Sequence, residues 1–116
     1  MKVINWLIAL CGLWEFGDIA ALFVPDFGEI KPFVWNHILT GLFLIIAGAW
    51  AALAANVRTA RTLNYLAAAA GFWLMVAPFF LGLPAISAGL WNDVIVGGIV
   101  MSLSLWAASA ARRSSG

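Results

Sequence analysis

The stretch Trp35-Asn36-His37-Ile38-Leu39-Thr40-Gly41-Leu42-Phe43-Leu44-Ile45-Ile46, which continues apolar to Ala55, decides the architecture. At about 20 residues it is long enough to cross a hydrocarbon core of about 30 Å as a helix. Backbone groups in hydrocarbon must be satisfied inside the spanning unit, so the solutions are a helix or a closed barrel. Barrel strands alternate apolar and polar residues with period two, and Ile38 to Ile46 does not alternate. The segment reads as a membrane helix.

Three further stretches share this character, at about residues 3–24, 63–81 and 91–110. With 35–55 they predict an all-α membrane protein of four transmembrane helices. Of 116 residues 65% are hydrophobic and 9% charged, and the mean hydropathy is +1.02. A soluble domain is about 45–50% apolar and about 25% charged, so a water-soluble monomer is excluded, and four spans leave no length for a soluble catalytic domain. A net charge of +1 with dispersed basic residues gives no sign of nucleic-acid binding. The lone Cys11 excludes an internal disulfide and a two-thiol redox motif.

The intervals carry turn-forming residues. Pro25, Gly28 and Pro32, with Asp26, Glu29 and Lys31, read as the first loop; Asn56, Arg58 and Arg61 as the second; Gly82, Pro84, Ser87 and Gly89 as the third. Connections of about 7–10 residues force antiparallel neighbours, as in an up-down bundle. Lys2, Arg58, Arg61, Arg112 and Arg113 fall on one side and only Lys31 on the other, which predicts cytoplasmic termini and a cytoplasmic middle loop. Ser114 to Gly116 read as a disordered end. Lys2 before Trp6-Leu7-Ile8-Ala9-Leu10 imitates a secretory signal, but Glu15 and Asp18 follow where small cleavage-site residues are needed, so a retained span is expected.

The chain also repeats itself. Gly12-Leu13-Trp14 matches Gly71-Phe72-Trp73 at a shift of 59, and Pro25 matches Pro84. Trp35-Asn36-His37-Ile38-Leu39-Thr40-Gly41 matches Trp91-Asn92-Asp93-Val94-Ile95-Val96-Gly97 at a shift of 56, as does Trp50-Ala51-Ala52 with Trp106-Ala107-Ala108. Tryptophan at fixed spacing rarely agrees by chance. Residues 1–56 and 57–116 are therefore expected to be two tandem two-helix hairpins of like topology, related by an axis along the membrane normal.

The segment from Gly71 through Ala77-Pro78-Phe79 to Gly82, followed by Trp91-Asn92-Asp93 and Gly97, resembles the SPW repeat family of prokaryotic membrane proteins. That family's unit is a pair of membrane helices with a Ser-Pro-Trp triplet near the outer end of the first. Here Ala77-Pro78-Phe79 and Asp18-Ile19-Ala20 stand at the triplet. The resemblance implies the fold and a place in the prokaryotic cytoplasmic membrane, and no biochemical activity.

Glu15 and Asp18 are the most unusual residues, three apart on one helix face. A carboxylate near the bilayer centre costs about 2.5–3.5 kcal/mol, so both are expected to face the bundle interior or an aqueous notch. The alternatives are a docking charge for a partner or an ion or proton site. Asn36 and Asn92 are expected to cap the second and fourth helices, with Asp93 in a first turn where it suits the helix dipole. Alternatively His37 and Asp93, at equivalent places in the repeat, approach each other across its axis. A single His without a nearby Cys or second His is a poor metal site, and no cofactor is expected.

Trp6, Trp35, Trp50, Trp91 and Trp106 fall toward span ends, as an aromatic belt predicts. Trp14 and Trp73 fall near mid-span, where core packing is expected and a pigment or quinone contact is the sharper alternative. Gly17 and Ala21, Gly48 and Ala52, Ala67 and Gly71, and Gly98 and Ser102 are spaced for close helix approach. Pro78 is expected to kink the third helix.

The chain holds no phosphate loop, nucleophile–base set, metal cluster or His pair for haem. The expectation is a non-enzymatic membrane protein: an accessory or structural subunit, or a self-associating bundle, in contact with lipid, further copies or other subunits. The alternative is a small oligomeric channel or ion- or proton-coupled carrier using Glu15 and Asp18.

Overall fold

The computed structural model describes residues 2–17, 31–80 and 88–115, with side chains placed at 2–17, 35–80 and 91–110. It contains α1 (Lys2–Phe16), α2 (Lys31–Leu53), α3 (Val57–Phe80) and α4 (Ala88–Ser115), and no strand among the described residues. Three helical segments are long and apolar enough to cross a membrane: Trp35–Leu53, Val57–Phe80 and Trp91–Ala110. The described part of α1 has 15 residues, about 22 Å of helix. Asp18, the first loop up to residue 30 and the third loop up to Ser87 lie outside the described residues.

Three boundaries differ from the sequence expectation. The second connection is only residues 54–56, because Asn56 caps α3. Its Oδ1 accepts the backbone N–H of Arg58 at 2.8 Å and of Thr59 at 3.4 Å, two first-turn donors that have no partner within the helix. Arg58 and Arg61 therefore sit in the opening turns of α3, not in a loop. Pro32 belongs to the first turn of α2, where the missing N–H would have had no acceptor. At the other end, α4 continues through Arg112 and Arg113 to Ser115, taking in two residues of the end that reads as disordered.

The helices pack around a ring: α1 lies chiefly against α2 and α3 against α4, with lesser α2–α3 and α1–α4 contacts. Glycine sets the two tight contacts. A Cβ built on Gly12 would lie 2.6 Å from the carbonyl oxygen of Gly41, and one on Gly71 would lie 2.8 Å from that of Gly97. These are corresponding positions in the sequence repeat. Backbones this close favour van der Waals packing, the main attraction between helices in lipid. Gly48 is used the same way against Asn5 and Ala9 of α1, whereas a Cβ on Gly98 meets nothing within 4 Å.

Ile8, Leu44, Ala67, Leu74 and Val100 form the buried apolar centre. The five end-of-span tryptophans are all exposed, as an outward-facing belt requires. Pro78 is buried inside α3, which runs on to Phe80.

The glycine contacts yield a direct test. Gly41→Ala is expected to lower the unfolding free energy by about 1–3 kcal/mol through overpacking, and Gly98→Ala to change it by less than about 0.5 kcal/mol. Denaturation in mixed detergent micelles measures both; equal effects would contradict the packing described.

Candidate functional site

Glu15, His37 and Asp93 meet inside the bundle, one each from α1, α2 and α4. They are 1%, 2% and 0% exposed. The Nε2 of His37 lies 2.5 Å from Asp93 Oδ1 and 3.4 Å from Glu15 Oε2. One imidazole nitrogen thus faces two carboxylates from opposite sides of the repeat. Buried charges are tolerated where they are paired and hydrogen-bonded, and this arrangement meets the condition.

Asn92 extends the cluster to the surface. Its Nδ2 donates to Glu15 Oε1 at 3.1 Å and to Asp93 Oδ1 at 3.3 Å. Its Oδ1 accepts the indole N–H of Trp14 at 2.8 Å. The corresponding Trp73 donates to Asn36 Oδ1 at 2.6 Å. The two Trp–Asn bonds cross: each joins the first helix of one sequence half to the second helix of the other. They account for both indole donors, which in hydrocarbon would otherwise be unsatisfied.

These facts correct two expectations. Asn36 and Asn92 are not helix caps, since α2 begins at Lys31 and α4 at Ala88; their amides serve the facing tryptophans instead. Asp93 likewise lies beyond the first turn of α4, bonded to His37. Nor do the rings of Trp14 and Trp73 lie in the core, being 67% and 41% exposed. The N–H reaches inward while the ring stays on the outer face, where Trp73 stacks on Phe80 at a centroid distance of 6.3 Å.

The expectation that Glu15 faces inward agrees with its burial, and the approach of His37 to Asp93 is the alternative the structure adopts. That Glu15 joins them was hidden because its repeat counterpart is Leu74, an apolar residue in the core cluster. The ligand-type atoms of Glu15, His37 and Asp93 all lie within 4.8 Å of one another, so the metal-ligating capacity that a single His lacks arises from three distant segments.

A second polar set escaped notice. The 59-residue shift also pairs Asn5 with Asn64, both buried. Their Oδ1 atoms, and the Oγ of buried Ser104, have no hydrogen-bond partner among the described residues. Asn5 is ten residues from Glu15, about 15 Å along α1. Between the two polar levels stand Ile8, Leu44 and Val100, each seven residues (about 10 Å) inward of Glu15, His37 and Asp93 respectively.

A family model described as SPW repeat domain matches residues 2–107. The chain therefore belongs to the SPW repeat domain family, and with its long apolar helices it is a membrane protein. The match extends well beyond the segment around Ala77-Pro78-Phe79 that carries the visible resemblance. No curated protein and no solved structure matches the chain.

The crossed ties are measurable. A double-mutant cycle of Trp73→Phe with Asn36→Ala should give a coupling of about 0.6 kcal/mol and no more than about 1.7 kcal/mol. Asn92→Ala should destabilise more than Asn36→Ala, since it also strips a donor from two buried carboxylates. The reverse order, in detergent unfolding titrations, would refute the network.

Proposed function

We propose that this SPW repeat protein is a non-enzymatic accessory or structural subunit of the membrane, assembling with further copies of itself or with other membrane helices. The observation that carries this reading is the division of its side chains. The polar groups of the site turn inward and engage one another, while the outer surface presents large apolar and aromatic residues. Chemistry directed at a substrate needs groups that a substrate can reach; here they tie helices together. Outward-facing indoles suit contact with lipid and with the side chains of neighbouring helices.

The proposed setting is the prokaryotic cytoplasmic membrane, crossed four times by two tandem hairpins. The excess of basic residues at Lys2, Arg58, Arg61, Arg112 and Arg113 over Lys31 favours cytoplasmic termini and a cytoplasmic turn around Asn56.

A second reading, a small oligomeric channel or cation- or proton-coupled carrier, is favoured by the convergence of Glu15 and Asp93 on His37. Intramembrane ionisable clusters mark ion and proton routes in many proteins. Against it stands the apolar centre inward of the cluster, whose five residues are each no more than 1% exposed. A path through the bundle would have to part them.

Two measurements separate these readings. Gentle extraction followed by native mass determination should find an assembly heavier than one chain; a strictly monomeric species without a co-purifying subunit would defeat the accessory role. In reconstituted vesicles, ion flux should equal that of empty vesicles. Flux abolished by Glu15→Gln would establish the carrier reading instead.

A further inference from the structure

We infer that Glu15, His37 and Asp93 form a binding site for a first-row divalent transition-metal ion, held between α1, α2 and α4. This goes beyond the accessory role and does not depend on which partner the bundle meets.

The donor atoms are already gathered. His37 Nε2 is 3.4 Å from Glu15 Oε2 and 2.5 Å from Asp93 Oδ1, and the three ligand-type atoms lie within 4.8 Å of one another. Ligands held at about 2.0–2.2 Å from one tetrahedral zinc ion stand about 3.3–3.6 Å apart. To admit the ion, His37 Nε2 and Asp93 Oδ1 would part by about 1 Å, and the widest pair would draw in by up to about 1 Å. Asn92, donating to both Glu15 and Asp93, orients the carboxylates in the way outer-shell partners hold metal ligands.

Charge supplies a second argument. All six Lys and Arg residues lie at or near helix ends: Lys2, Lys31, Arg58, Arg61, Arg112 and Arg113. A divalent ion bound by neutral imidazole and two carboxylates sums to zero.

The sequence repeat supplies a third. Around the site the two halves agree residue for residue at Trp14 and Trp73, Asn36 and Asn92, and Gly41 and Gly97. These matched pairs make the symmetric ties. The halves disagree at Glu15 against Leu74 and at His37 against Asp93, so the unmatched residues are the ones that assemble a single mixed nitrogen–oxygen donor set. Imidazole with carboxylates suits Zn2+, Fe2+ or Mn2+ better than Mg2+ or Ca2+.

The test uses the full chain in detergent, stripped with a chelator. Co2+ titration should produce visible d–d absorption that Zn2+ displaces at one equivalent. Zn2+ affinity should fall at least about tenfold in Glu15→Gln and in Asp93→Asn, vanish in His37→Gln, and persist in the outer-face variant Ser102→Ala. Zn2+ should also raise the unfolding temperature of the wild-type protein, as any ligand selective for the folded state does. Failure of the wild-type chain to take up one equivalent overturns the inference whether or not the variants fold. So does binding left unchanged by both carboxylate substitutions, which would place the ion elsewhere.

Discussion

One imidazole between two carboxylates, all shielded from solvent, is the constraint to which the rest of the molecule is fitted. The groups come from three helices, so none of them can be accommodated by its own helix alone. Separating the helices would leave buried charge exposed to hydrocarbon, at several kcal/mol per group. The glycine contacts follow from the same need. Gly12 against Gly41 and Gly71 against Gly97 bring the backbones near enough for short polar side chains to meet across the interior. Asn92 then completes the arrangement by serving a tryptophan, a glutamate and an aspartate at once.

Along the bundle axis the interior is layered. The charged cluster occupies one level, the apolar centre of Ile8, Leu44 and Val100 the next, and Asn5 with Asn64 a third. The charged level and its tryptophan–asparagine ties define which helices face each other, because a wrong rotation would strand a donor or acceptor in hydrocarbon. The apolar level contributes packing without direction. Specificity of assembly therefore resides in a handful of polar atoms, while most of the area that holds the helices together is undirected contact among small and aliphatic side chains.

The helices were legible in the sequence, since apolar length alone distinguishes a membrane span. The repeat is a property of the sequence itself, because tryptophans at matched spacing are hard to produce by chance. What periodicity leaves open is which way each residue turns. Trp14 and Glu15 are adjacent, about 100° apart on the helix, so one lies on the outer face and the other within. Asn36 and Asn92 looked like caps because they follow the loops closely, yet Pro32 starts α2 earlier than the apolar pattern does. The meeting of His37 with Asp93 was within reach of the repeat argument. The addition of Glu15 was not, because symmetry predicts a second Leu74 there and only packing reveals the exception.

The crossed ties have a consequence for how such a chain can arise. Two identical copies of either half would reproduce the tryptophan–asparagine bonds, since each half carries one donor and one acceptor of the right kind. Their interiors would not fare equally. A pair of first halves would set imidazole against imidazole with two glutamates, and a pair of second halves would set aspartate against aspartate with no base between them. Only the unlike pair brings one base to two acids of different origin. Joining both halves in one polypeptide guarantees that pairing at a one-to-one ratio, and it frees each half to change in ways that self-association would forbid.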